Sequence, residues 1–111
     1  MAQDKAVVHS KILEFIGKVQ EHVRVDKVIL YGSWAKGNPT DLSDIDLAVF
    51  SPDFGKHILK ESQLLSRIAW EVDESIEAIP YAAEDLYNLE PTKFVYEIIR
   101  TGETVFDKAW N

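Results

Sequence analysis

No cysteine occurs in these 111 residues, so disulfide staples and thiolate metal sites are both excluded. No apolar run approaches the roughly 18 residues that a membrane-spanning helix needs. The N-terminus, Met1-Ala2-Gln3-Asp4-Lys5, lacks the basic-then-apolar order of a secretory leader, and a cytoplasmic address is expected. Basic residues are scarce: 12 Lys and Arg stand against 19 Asp and Glu, a net charge of −7. The deficit deepens along the chain, from six against eight over residues 1–55 to six against eleven over 56–111. Without a basic stripe to neutralise a polynucleotide backbone, extended nucleic acid is not an expected partner. The acidic second half suits a basic protein surface, and it equally serves solubility. Neither G-x-x-x-x-G-K-[ST] nor G-x-G-x-x-G is present, so the P-loop and dinucleotide fingerprints fail. His9, His22 and His57 do not form a ligand cluster.

What remains is an ordinary globular composition, 46% hydrophobic, at a length close to the commonest domain size. One domain over 1–111 is expected, large enough to fold without staples. Apolar positions 8, 12, 15, 16, 19 and 23 make a helical stripe over residues 6–23. Lys27–Tyr31 reads as a buried strand ending at Gly32, and Ser33–Lys36 as a brief helix stopped by Gly37-Asn38-Pro39. Turn residues continue to Ser43, and Asp44–Phe50 is the second strand. The longest helix is predicted over 56–73, with Ile58, Leu59, Leu65, Ile68, Ala69 and Val72 available for its apolar face and Trp70 filling core. Ser75–Ile79 alternates as a third strand that should stop before Pro80. Helical pieces follow near Glu84–Leu89 and Thr92–Arg100, and Thr104–Phe106 can return as an edge strand. This order favours an α/β or α+β fold, a small mixed sheet flanked by helices.

The chemistry concentrates between Gly32 and Asp46. In an extended segment Asp44 and Asp46 share one face and Ile45, Leu47 and Val49 the other. Burying the apolar face leaves the two acids on the sheet's open side, about 6.6 Å apart along the strand. Side chains at that spacing can converge on ions about 3.5–4 Å apart, the separation of two-metal phosphoryl sites. Magnesium is satisfied by a few carboxylates plus substrate phosphate oxygens. An isolated D-x-D can also be no more than a polar strand start. Upstream, Gly32-Ser33 ends a strand and opens a helix, where free N–H groups can donate to a phosphate. The Ser33 hydroxyl adds a donor, or caps the helix; Lys36 offers a cation to a leaving pyrophosphate, or is a solvated surface lysine. Trp34 stacks on a base or packs over the turn. A phosphatase of the haloacid dehalogenase type carries its acids after the apolar strand, whereas here the apolar run follows them. A glycosyltransferase needs a longer chain for its sugar donor.

Tyr31-Gly-Ser-Trp-Ala-Lys-Gly37 followed by Ser43-Asp-Ile-Asp-Leu-Ala-Val49 resembles the signature of the minimal nucleotidyltransferases, in the DNA polymerase β-like superfamily. The resemblance covers nearly the whole chain, and Arg100-Thr101-Gly102 is similar to the family's C-terminal turn. It implies the polymerase β-like nucleotidyltransferase fold, Asp44 and Asp46 as metal-binding catalytic acids, and Gly32 with Ser33 around the nucleotide's terminal phosphates. The family's third acid lies on the next core strand, where Glu77 stands; it is longer than the aspartate common there. The implied reaction is Mg²⁺-dependent transfer of a nucleoside monophosphate, AMP from ATP, to a hydroxyl, through a two-metal site. The implied partner is a HEPN-domain protein of a toxin–antitoxin module, with this chain as the antitoxin, and a second copy is an alternative way to complete the cleft. A rival reading is a catalytically weak module that neutralises its partner by docking, with Trp110 at the partner-facing end.

Overall fold

A computed structural model describes residues 5–37, 44–88 and 90–110. The apolar stripe of the first segment winds as α1, Lys5–Gln20, burying Val8, Ile12, Phe15, Ile16 and Val19. It stops three residues earlier than its pattern predicts, because Glu21, His22 and Val23 turn back onto the carbonyls of Lys18 and Val19. Strand β1, Lys27–Tyr31, leads into the four-residue helix α2, Ser33–Lys36. Strand β2, Ile45–Ser51, is followed by α3, Ile58–Val72, and β3, Ile76–Ala82. A 3-10 turn over Ala83–Tyr87, helix α4, Phe94–Thr101, and strand β4, Glu103–Asp107, close the order.

The sheet runs β3-β2-β1-β4. β1 lies antiparallel to β2 and to β4, whereas β2 and β3 are parallel and joined through α3. This is the small mixed sheet with flanking helices expected of an α+β polymerase β-like nucleotidyltransferase fold. On one face, Val28, Leu30, Ile45, Leu47, Val49, Ile76 and Val105 meet the buried sides of α1 and α3. On the other, Ile29, Ala48 and Phe50 meet Val95 and Ile98 of α4, with Tyr31, Tyr81 and Leu86 packed around them. The face that carries the acids is therefore not open along its length: α4 covers it from Ala48 onward, and Asp46 stands at the edge of that cover. Coverage on both sides explains why β2 is buried continuously from Leu47 to Ser51 rather than alternately.

Three expectations change. Ile58, Leu59 and Trp70 do not fill core; they are 57%, 72% and 71% exposed, because only the Leu65–Ile68–Ala69 side of α3 reaches the sheet. Pro80 lies inside β3, where an edge position lets its missing N–H go unnoticed by the ladder it forms with Val49. The segment read as a helix near Glu84–Leu89 is a 3-10 turn, whose start is held by the Asp85 carboxylate accepting the Ala82 N–H at 3.2 Å; Leu89 lies outside the described residues, as do Asn38–Ser43. A buried glutamate went unforeseen. Glu61, on the first turn of α3, accepts the N–H groups of Gly55 at 2.9 and 3.1 Å and of His57 at 3.0 Å. It ties the β2–α3 connection to the helix it opens. Glu61→Ala leaves these donors unsatisfied and is expected to lower stability by about 1–3 kcal/mol, read by urea denaturation.

Candidate active site

Gly32 sits where β1 hands over to α2, at φ 73° and ψ −150°, a backbone region that essentially only glycine occupies. A second constraint falls on the same atom. A Cβ built on Gly32 would stand 2.5 Å from Asp46 Oδ2, so the absent side chain is the space the carboxylate fills. The two motifs, separated in sequence, are thus in van der Waals contact. Gly32 also occupies the N-cap position, with its carbonyl accepting the Lys36 N–H at 3.1 Å. Ser33 is the first helical residue and makes no capping bond, which corrects its reading as the cap. Gly37 closes α2 in the left-handed conformation. Lys36 is exposed at the end of this short helix, and Trp34 packs against the larger core cluster.

The strand register sets the acids. Tyr31 of β1 pairs with Asp46 of β2, and Asp46 pairs with Glu77 of β3, so three side chains form a row across three strands on one face. Asp44, exposed, lies just before β2, and the Ile45 N–H donates to the Ser75 carbonyl at 2.8 Å to begin the parallel pairing. Burial raises the pKa of Asp46, and the charges of Glu77 and then Asp44 raise it further. Among the described residues no Lys, Arg or His forms an ion pair with Asp44, Asp46 or Glu77. Among the described residues no three acidic or histidine side chains are close enough to enclose an ion unaided. Half-buried Asp46 beside the exposed Glu77 and Asp44 still suits Mg²⁺, which takes one or two carboxylates and completes its octahedron with water and substrate phosphate oxygens. The donor set fits the metal chemistry that the sequence motif implies.

Tyr31 escaped the sequence reading as a site residue. Its ring meets Phe94 edge-to-face, with centroids 5.8 Å apart at 83°. Burial raises its pKa, with Asp46, Tyr81 and Glu77 adding to the rise, so the phenol keeps its proton beside the acids. The signal was its place one residue before Gly32, but only the β1–β2 register shows which way it faces.

Asp73 does not join the site. It turns toward α1, forming an ion pair with Lys11, and accepts the Ser75 N–H at 2.8 Å and the Ser75 hydroxyl at 2.6 Å. This fixes the residue whose carbonyl holds Ile45. Burial pushes the Asp73 pKa up, but the bonds from Lys11 and Ser75 outweigh it and hold the carboxyl at about 2. A depressed pKa stabilises the fold above the ordinary value of 3.8, and that contribution is lost as pH falls through about 2. Allowing for solvent screening, about 1–2 kcal/mol should disappear between pH 5 and 2 in the parent protein but not in Asp73→Asn, measured by pH-resolved denaturation.

A surface depression of about 750 Å³ lies at the opposite end of β1, around Arg24, Asp26, Asp53 and Lys108. Its charges pair with one another, Arg24 with Asp53 at 2.8 Å and Lys108 with Asp26 at 3.3 Å. A smaller cleft of about 390 Å³ opens beside the acids and includes Tyr31 and Glu77. The acids and the glycine turn favour this end of the sheet as the reactive one.

The sequence profile of the family described as Polymerase beta, Nucleotidyltransferase matches residues 12–110. No curated protein sequence matches the chain. Among solved structures, the chain resembles a protein of Sulfolobus solfataricus provisionally described as a nucleotidyltransferase, with a TM-score of 0.63 and 16% identity over 97% of this chain and 93% of that one. It also resembles a chain from a toxin–antitoxin structure with AMP-PNP, with a TM-score of 0.56 and 18% identity over 91% of this chain and 74% of that one. At such identities the two likenesses speak for the fold.

Proposed function

The chain belongs to the polymerase beta nucleotidyltransferase family, and on that premise we propose that it transfers a nucleoside monophosphate, AMP from ATP, to a hydroxyl and releases pyrophosphate. The observation that carries this reading is the contact of Gly32 with the Asp46 carboxylate, which in turn faces Glu77. It brings the glycine turn against the paired acids, which supports the reading.

Each residue then has a task. The backbone N–H groups that open α2, with the Ser33 hydroxyl, bind the terminal phosphates, and Lys36 offsets the charge of the departing pyrophosphate. Asp44, Asp46 and Glu77 would hold Mg²⁺, which supplies charge neutralisation for the phosphates and the leaving group. Glu77 also accepts the acceptor's proton. Tyr31 walls the acid row on its β1 side and excludes water there. Incubation with α-labelled ATP and Mg²⁺ tests the proposal: label should move to an acceptor with release of pyrophosphate, dependent on the metal. No labelled product in the presence of the acceptor-bearing partner counts against it.

The likeness to a toxin–antitoxin structure with AMP-PNP favours a protein as the acceptor's bearer. We place the chain as the antitoxin, with a HEPN-domain toxin as the partner it modifies. Exposed aromatic side chains available to such a partner include Tyr87 and Trp110, 83% and 58% exposed. A second reading, neutralisation by docking alone, predicts rescue from the toxin without catalysis.

A further inference from the structure

We propose, resting on the transferase reading above, that the cleft along the free edge of β3 receives the acceptor, and that Trp70 and Glu74 select an acceptor hydroxyl carried on a flat ring with a positive charge beside it. Sheet order carries the first half of the argument. Gly32 ends β1 on one side of Asp46, and Glu77 stands on β3 on the other. Displacement at phosphorus runs in line: the acceptor oxygen bonds to the α-phosphorus opposite the bond that breaks to pyrophosphate. The electron pair of the broken bond leaves with pyrophosphate, and the acceptor's proton passes to Glu77. With the leaving group at the glycine turn, the acceptor must approach from β3.

The cleft found there holds about 390 Å³, within the range of small-ligand sites. Ser66 and Trp70 of α3, Glu74, Glu77 and Ile79 line it, and it reaches Tyr31. Trp70 is 71% exposed while its neighbours Ile68 and Ala69 are buried, so the fold makes little use of its ring. A tryptophan face attracts both aromatic rings and cations. Glu74 and Glu77 are the charged groups among the lining residues, which include no Lys, Arg or His. With Glu77 engaged in the reaction, Glu74 is left to meet charge brought by the acceptor.

Tyramine and 4-hydroxyphenylacetate test this, because they share ring and hydroxyl and differ in the sign of their charge. With excitation beyond the tyrosine band, tyramine should quench the full-length protein saturably and at least about tenfold more tightly than 4-hydroxyphenylacetate, as one opposite-charge contact near a surface provides. The quench should vanish in Trp70→Phe, and Glu74→Gln should narrow the difference between the two compounds by at least about threefold, Glu77 retaining the remainder when no nucleotide is bound. In transfer assays Trp70→Ala should raise the KM for tyramine and leave the affinity for α,β-methylene ATP with Mg²⁺ unchanged. Equal binding of the two compounds, a quench that survives Trp70→Phe, or an unaltered KM in Trp70→Ala overturns the proposal. Quenching is read without nucleotide, so failure of the methylene analogue to bind would count against the transferase reading alone.

Discussion

The double substitution Asp44→Asn, Asp46→Asn is expected to lower nucleotidyl transfer by roughly a thousandfold or more and, at the same time, to raise the melting temperature. The two effects share one cause. Asp46 has its pKa raised by burial and by the charges of Glu77 and Asp44, so its ionised form is disfavoured in the folded chain. A carboxyl with a raised folded pKa makes the protein less stable above that pKa and relatively more stable below it. Replacing the charge with an amide of the same shape removes the penalty at neutral pH. It also removes the ligand charge that Mg²⁺ and phosphate chemistry require. Differential scanning calorimetry and the labelled-ATP assay read the two sides. A variant with lowered Tm and unchanged transfer would falsify the assignment. The same variant, expressed with the proposed toxin partner, separates modification from docking: continued rescue means that binding suffices.

The second large effect is expected from Gly32→Ala. At φ 73° and ψ −150° any side chain is strained by about 1–3 kcal/mol. The added methyl also meets Asp46 Oδ2 at 2.5 Å and must displace it. Misplacing a reacting group by about 1 Å can cost roughly a hundredfold in rate, so kcat should fall by that order even where the protein remains folded. Combining Gly32→Ala with Asp46→Gly, which vacates the space, provides a control: stability should return in part and activity should not. Full activity in Gly32→Ala would break the proposed link between the turn and the acids.

Local pattern in the chain foretold most of the secondary structure, and for identifiable reasons. The 3.6-residue stripe of α1 and the acid-then-apolar order of β2 are properties of short segments. The pairing of strands is not. Nothing near Glu77 dictates that β3 should run parallel to β2 with Glu77 opposite Asp46; that register follows from the length of α3 and from Ser75 being held by Asp73. Coverage is also a long-range property. The apolar residues of α3 allow a broad buried stripe, and only the sheet's width determines that Leu59 and Trp70 fall outside it. Pro80 misled for a related reason, since its effect on a strand depends on whether a neighbour lies on its N–H side. Tyr31 was visible as a letter of the motif, but its place in the acid row depends on the β1–β2 register, which sequence leaves open.

The parallel pairing of β2 with β3 has a consequence for the order of assembly. Gly32, Ser33, Asp44 and Asp46 can come together in an antiparallel β1–β2 pair, whereas Glu77 cannot arrive until α3 has crossed over the sheet. Contacts that close such a loop form late. A folding chain therefore brings the glycine turn and the two aspartates together before Glu77 stands beside them. The row of acids is complete only once the crossover from β2 through α3 to β3 has closed.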